Sequence, residues 1–155
     1  MMLRYIPLPF IALMAFVTEP VAAAEVCSHS GSVETVNLNP TTQQGTITMD
    51  TGNGPLQGKV VGRIRRADST PPYVSFLDHT LTFPDHGTIH TRKDQAMIVR
   101  PVDECTFQVT ETMHVVKGTG KFAGIAGTVT ADGTVNACTG VNSFAYQGDL
   151  CWPGQ

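Results

Sequence analysis

Gly118-Thr119-Gly120-Lys121-Phe122-Ala123-Gly124-Ile125-Ala126-Gly127 runs on into Thr128-Val129-Thr130-Ala131-Asp132-Gly133. Four glycines within ten residues, set around one aromatic side chain, fit neither a regular helix nor a plain strand. Glycine marks places where φ turns positive or where a backbone must come close to something else. A β-rich run precedes the stretch (Thr106 to Val116) and a Thr/Val-rich run follows it, so it reads as a tight corner between two strands. Phe122 is the large side chain available to plug that corner into a core. Together with Ile125 and the nearby alanines it argues against a solvated linker. Gly118, Gly120, Phe122, Gly124 and Gly127 are therefore the expected structural residues of the corner.

Working outward, short Thr/Val/Ile runs recur along the chain, parted by Gly, Pro, Asn and Asp, with no sustained helical period. Strands are expected over Val26 to Leu38, Gly45 to Met49, Leu56 to Arg66, Tyr73 to Phe83, Thr88 to Val99, Cys105 to Lys117, through Val135, and Ser143 to Leu150. Pro84-Asp85-His86-Gly87 suits a type I turn closing a hairpin. About eight strands joined mostly by short turns favour closure into an antiparallel barrel, because closing a sheet removes both of its sticky edges. A two-sheet sandwich is the competing arrangement.

The four cysteines are Cys27, Cys105, Cys138 and Cys151. A hairpin centred near Lys121 sets Cys105 opposite Cys138. Cys27 and Cys151 lie near the chain ends, and in a closed barrel the first and last strands are neighbours. The expected disulfides are thus Cys105–Cys138 and Cys27–Cys151. A zinc site has no Cys-x2-Cys or Cys/His spacing behind it, and no metal is expected.

The Gly-Thr-Gly-Lys-Phe run, followed by a small residue and Gly (Gly118 to Gly124), resembles the signature of the dirigent and allene oxide cyclase families, including small secreted bacterial barrels of that type. The resemblance covers about ten residues, Gly118 to Gly127. It implies an eight-stranded barrel with an enclosed interior, no metal or cofactor, trimers as a common assembly, and cyclisation or coupling of hydrophobic small molecules. The acidic and arginine pocket motifs of those families have no alignable match, so no catalytic residue comes from them.

At the start of the chain, Arg4 precedes an apolar run from Ile6 to Val17 that holds Pro7 and Pro9, and Ala22-Ala23-Ala24 follows. This order is that of a secretory signal peptide cut between Ala24 and Glu25, placing the protein outside the cell or in the periplasm. The run is too short and proline-rich for a membrane span. Cleavage leaves 155 less 24, or 131, residues for one barrel domain over 25–155. A net charge of −3 gives no footprint for nucleic acid.

Alternate strand residues face a barrel's interior. On Cys105 to Lys117 the apolar set Phe107, Val109, Met113 and Val115 shares its parity with Glu111. A carboxylate on an apolar face is costly unless paired or protonated, which suits a general acid or base; pairing with Arg63 or Arg92 is the plainer role. Tyr73 shares parity with Leu77, His79, Leu81 and Phe83. Tyr73, His79 and Glu111 are accordingly the candidate catalytic groups, with Phe107, Met113 and Leu77 as ligand-contacting walls. If Pro84 lies opposite Gly87, His90 faces Leu81 and sits diagonal to His79, near enough to share a proton or a metal. A one-residue slip puts the two on opposite faces.

Two functional classes stand. One is an exported barrel that holds a small apolar molecule, with cofactor-free isomerisation or cyclisation as its chemistry. The other is a non-catalytic structural or protein-interaction barrel of the cell envelope. A cavity above roughly 300 Å³ with Glu111 or Tyr73 in its wall favours the first. The residues alone do not decide whether the protein is an enzyme.

Overall fold

The computed structural model describes residues 24–154. Except for Ala24, the expected signal peptide lies outside them. The described chain is all-β, apart from one short 3-10 turn at Gly120–Phe122. In chain order the strands are β1 (Glu25–Asn39), β2 (Thr42–Thr51), β3 (Gly54–Ala67), β4 (Val74–Phe83), β5 (Gly87–Thr91), β6 (Asp94–Pro101), β7 (Thr106–Gly118), β8 (Ala126–Asn136) and β9 (Val141–Pro153). Strands β5 and β6 succeed each other in one position between β4 and β7. The nine segments therefore make eight staves. Neighbours run β3-β2-β1-β9-β8-β7, then β5 with β6, then β4. Pairing of β4 with β3, from Lys59 opposite Thr82 to Ala67 opposite Ser75, closes an antiparallel barrel.

Alternation builds the interior. On β3, Gly58, Val60 and Gly62 are buried between exposed neighbours, and on β9 Asn142, Phe144 and Tyr146 are. One end of the barrel is packed solid by Met49, Phe83, Ile89, Phe122 and Trp152. Phe122 is fully buried, its ring 5.1 Å from those of both Phe83 and Trp152. The glycine corner sets it there. Gly120 has φ 61°, and a Cβ on it would run into the backbone of His86 in the β4–β5 loop. Across this contact Lys121 N–H donates to His86 O at 2.7 Å and Thr119 N–H to Thr88 O at 2.9 Å. Two loops from different hairpins thus cap one end over a single aromatic plug.

The hairpin register across the corner, from Thr106 opposite Asn136 to His114 opposite Thr128, lies within one residue of the expected one. Both expected disulfides are formed. Cys105–Cys138 ties the residue just before β7 to the turn after β8, and Cys27–Cys151 ties β1 to β9.

The β4–β5 hairpin corrects an expectation. Phe83, not Pro84, lies opposite Gly87, and Asp85 takes φ 61° inside the loop. That shift of one residue puts His90 opposite Thr80, so it faces outward and bonds Thr80 Oγ1 and Thr88 Oγ1, both at 3.2 Å. His79 points inward, and the two histidines do not meet.

Candidate functional site

Three inward strand positions converge at mid-barrel. Strand β4 carries Leu77, His79 and Leu81 on its buried side, and β7 carries Val109, Glu111 and Met113. The third position comes from the break between β5 and β6. At Arg92–Lys93 the chain leaves the sheet, Lys93 adopting φ 58°, and Thr91 and Asp94 both end up buried. Three residues apart on a continuous strand, they would have pointed to opposite faces.

Asp94, fully buried, is held from several sides. His79 Nδ1–H donates to its Oδ2 at 2.8 Å, the Thr91 hydroxyl donates to the same oxygen, and His114 N–H donates to Oδ1 at 2.8 Å. Thr91 Oγ1 in turn accepts from His79 N–H at 2.9 Å. Glu111 Oε1 lies 3.8 Å from His79 Nδ1, beyond hydrogen-bond reach, and has no partner among the described residues. On the far side of the imidazole, Gln43 Nε2 is 3.4 Å from His79 Nε2. Gln43 Oε1 accepts from Thr35 Oγ1 and from Asn142 Nδ2, each at 3.1 Å. A buried polar belt therefore crosses the barrel from β7 to β9.

Burial alone would push the His79 pKa down. The hydrogen bond to Asp94 and the charges of Glu111 and Asp94 outweigh it, and the pKa is raised. Burial pushes the Glu111 carboxyl up, with Asp94 adding to the effect and His79 opposing it. A buried carboxyl whose pKa is pushed up, beside an imidazole whose pKa is raised as well, can exchange protons with a bound group. Protonated His79 would turn a donor toward the Gln43 amide, so its charge state is coupled to the belt's orientation.

The belt separates two spaces. Toward the packed end lies a small cavity of about 20 Å³, touched by Thr35, Gln43, His79 and Glu111, with room for about one water. Toward the other end lies a cavity of about 330 Å³. Its walls are mostly apolar, with Leu77, Ile98, Phe107, Val109 and Phe144 among them, and Glu111, Gln43 and Asn142 stand at its polar part. Tyr73 and Asp68 also line it.

Of the expected catalytic residues, Glu111 and His79 come together. Tyr73 is 46% exposed and borders the large cavity, whereas His79 borders the small one and not the large one, so Tyr73 shares a wall with Glu111 and not with the imidazole. Leu77 and Phe107 line the large cavity as expected; Met113 lines the small one. The charges acting on Glu111 are those of His79 and Asp94, not those of Arg63 or Arg92. The sequence reading missed Asp94, Thr91, Gln43 and Asn142. Ligand-type atoms of His79, Asp94 and Glu111 lie within 4.8 Å of one another, close enough to hold a metal ion. Both Asp94 oxygens are already engaged by hydrogen-bond donors, however, so the cluster fits proton sharing better than metal ligation. Among the described residues, no helix is long and apolar enough to cross a membrane. No protein-family model, curated protein or solved structure matches the chain.

Proposed function

We propose that this is an exported barrel, built like the dirigent and allene oxide cyclase type, that binds a small hydrophobic molecule in its interior and presents it to Glu111. The observation that carries this reading is an apolar-walled cavity of about 330 Å³ with a buried carboxyl in its wall, its pKa pushed up by that burial. Pockets of roughly 300–1,000 Å³, mostly apolar with a few placed polar groups, are what small-molecule sites look like. Apolar walls supply affinity by removing hydrophobic surface from water, without fixing orientation. Glu111 supplies orientation and, when it carries a proton, can donate it to a bound π-system or oxygen and recover one afterwards. His79, steadied by Asp94, sets the charge around it. That is sufficient equipment for isomerisation or cyclisation without a cofactor.

Ala96 provides the test. It lines the cavity on β6, opposite Glu111 of β7, and a tryptophan there would grow into the empty space. An apolar fluorescent probe such as anilinonaphthalene sulfonamide is expected to bind the wild type at one site and to lose that site in Ala96→Trp, while cooperative unfolding persists. Equal binding to both proteins would mean that the probe sits on the outside and that the reading is wrong.

A further inference from the structure

The charge inventory of the cavity narrows what it can hold. Resting on the reading of the cavity as a ligand site, we infer that its occupant is an apolar molecule with a hydrogen-bond-donating amine head, seated against Glu111 and Asn142. Among the described residues lining the cavity, Asp68 and Glu111 are the acidic ones, and none is Lys, Arg or His. Outside the lining, the Arg66 guanidinium is engaged by the lining residue Asp68 at 3.2 Å and stacked over Phe76 at 4.2 Å. A carboxylate or phosphate ligand would enter a cavity with no cation to receive it.

The polar groups point the same way. Among the described residues, two buried side-chain oxygens lack a hydrogen-bond partner, Glu111 Oε1 and Asn142 Oδ1, and both residues line this cavity. The Asn142 amide cannot simply be turned round. Its Nδ2 faces three oxygens, Thr35 Oγ1 at 3.1 Å, Asn37 Oδ1 at 3.0 Å and Gln43 Oε1 at 3.1 Å. With His79 Nε2 unprotonated and the Gln43 amide held as it stands, rotation would set an acceptor against Asn37 Oδ1 and Gln43 Oε1, which are then acceptors only. What these two oxygens lack is therefore a donor. Unsatisfied buried acceptors are uncommon and costly, so a ligand that supplies donors gains what the empty site forgoes.

Charge favours an amine over an alcohol. At most one positive charge, on His79, serves two carboxylates, and Asp94 takes it through the 2.8 Å bond. Glu111 is left without a protein cation. A hydroxyl brings one donor and no charge, whereas an alkylammonium brings three donors and the missing charge. A neutral amine reaching protonated Glu111 takes its proton, and an ammonium reaching ionised Glu111 keeps its own. The same ion pair results, with one proton accounted for either way.

The test titrates the full chain calorimetrically with octylamine, octanol and octanoate, alongside Glu111→Gln. Octylamine is expected to bind at least about ten-fold more tightly than octanol, as a charge-assisted bond is stronger than a neutral one, and octanoate to give no binding. Glu111→Gln is expected to bring octylamine to the level of octanol. If octanol or octanoate matches octylamine in the wild type, the amine assignment is overturned while the occupied cavity stands. If the amine preference survives in Glu111→Gln, the assignment to Glu111 is overturned. If none of the three binds either protein, the amine inference falls together with the reading of the cavity as a ligand site.

Discussion

Truncating Phe122 to alanine removes the plug on which the glycine corner closes. The ring is fully buried and packs at 5.1 Å against Phe83 and at the same distance against Trp152. Losing a buried phenylalanine costs about 3–5 kcal/mol, from lost transfer free energy plus the cavity left behind. The two aromatic contacts, worth about 0.5–1.5 kcal/mol each beyond area, place this site in the upper half of that range. With a urea m-value of about 2 kcal/mol/M, the unfolding midpoint should fall by about 2 M with an unchanged slope. Urea unfolding followed both by Trp152 fluorescence, which reports from inside the plug, and by circular dichroism measures it. Phe122→Leu, which keeps an apolar side chain in place, should lose about half as much. A fall below about 0.5 M for Phe122→Ala would refute the reasoning, because the corner would then be a surface loop and not a closure.

The same assay ranks the disulfides. Cys27–Cys151 spans 124 residues and Cys105–Cys138 spans 33, so on the chain-entropy account their removal costs about 5 and about 4 kcal/mol respectively; the reverse order would contradict that account. Gly120→Ala, at φ 61° and against the His86 backbone, should cost about 1–3 kcal/mol, and Gly52→Ala, with nothing within 4 Å, under about 0.5 kcal/mol. The raised pKa values of Glu111 and His79 mean that the folded chain binds more protons than the unfolded one. Their contribution is full below the ordinary values of 4.5 and 6.5 and is lost as pH rises through the folded ones. Wild-type stability measured relative to Glu111→Gln should therefore fall as pH rises from 4.5, and a flat or rising difference would contradict the assignment.

Parity and punctuation made much of this molecule legible. The alternation through Phe107, Val109, Glu111 and Met113 put Glu111 inside without reference to any other strand, because a period of two is a property of the strand itself. The corner about Lys121 gave the β7–β8 register to within one residue, enough to pair Cys105 with Cys138. What stayed hidden depended on departures from regularity. Asp94 reaches His79 only because the chain breaks at Arg92–Lys93, and the Lys93 φ of 58° carries no residue signature. His90 was lost to the other face by a one-residue change of loop geometry at Asp85. Gln43 and Asn142 look like surface polar residues, since nothing local reveals that their partners come from across the barrel.

The central claim, that the interior holds a small apolar molecule, is tested most directly by native mass spectrometry of the protein purified from its own source. The account predicts a species heavier than the chain beginning at Glu25 by the mass of one small molecule, released when the protein is denatured. The same bare mass before and after denaturation would contradict it.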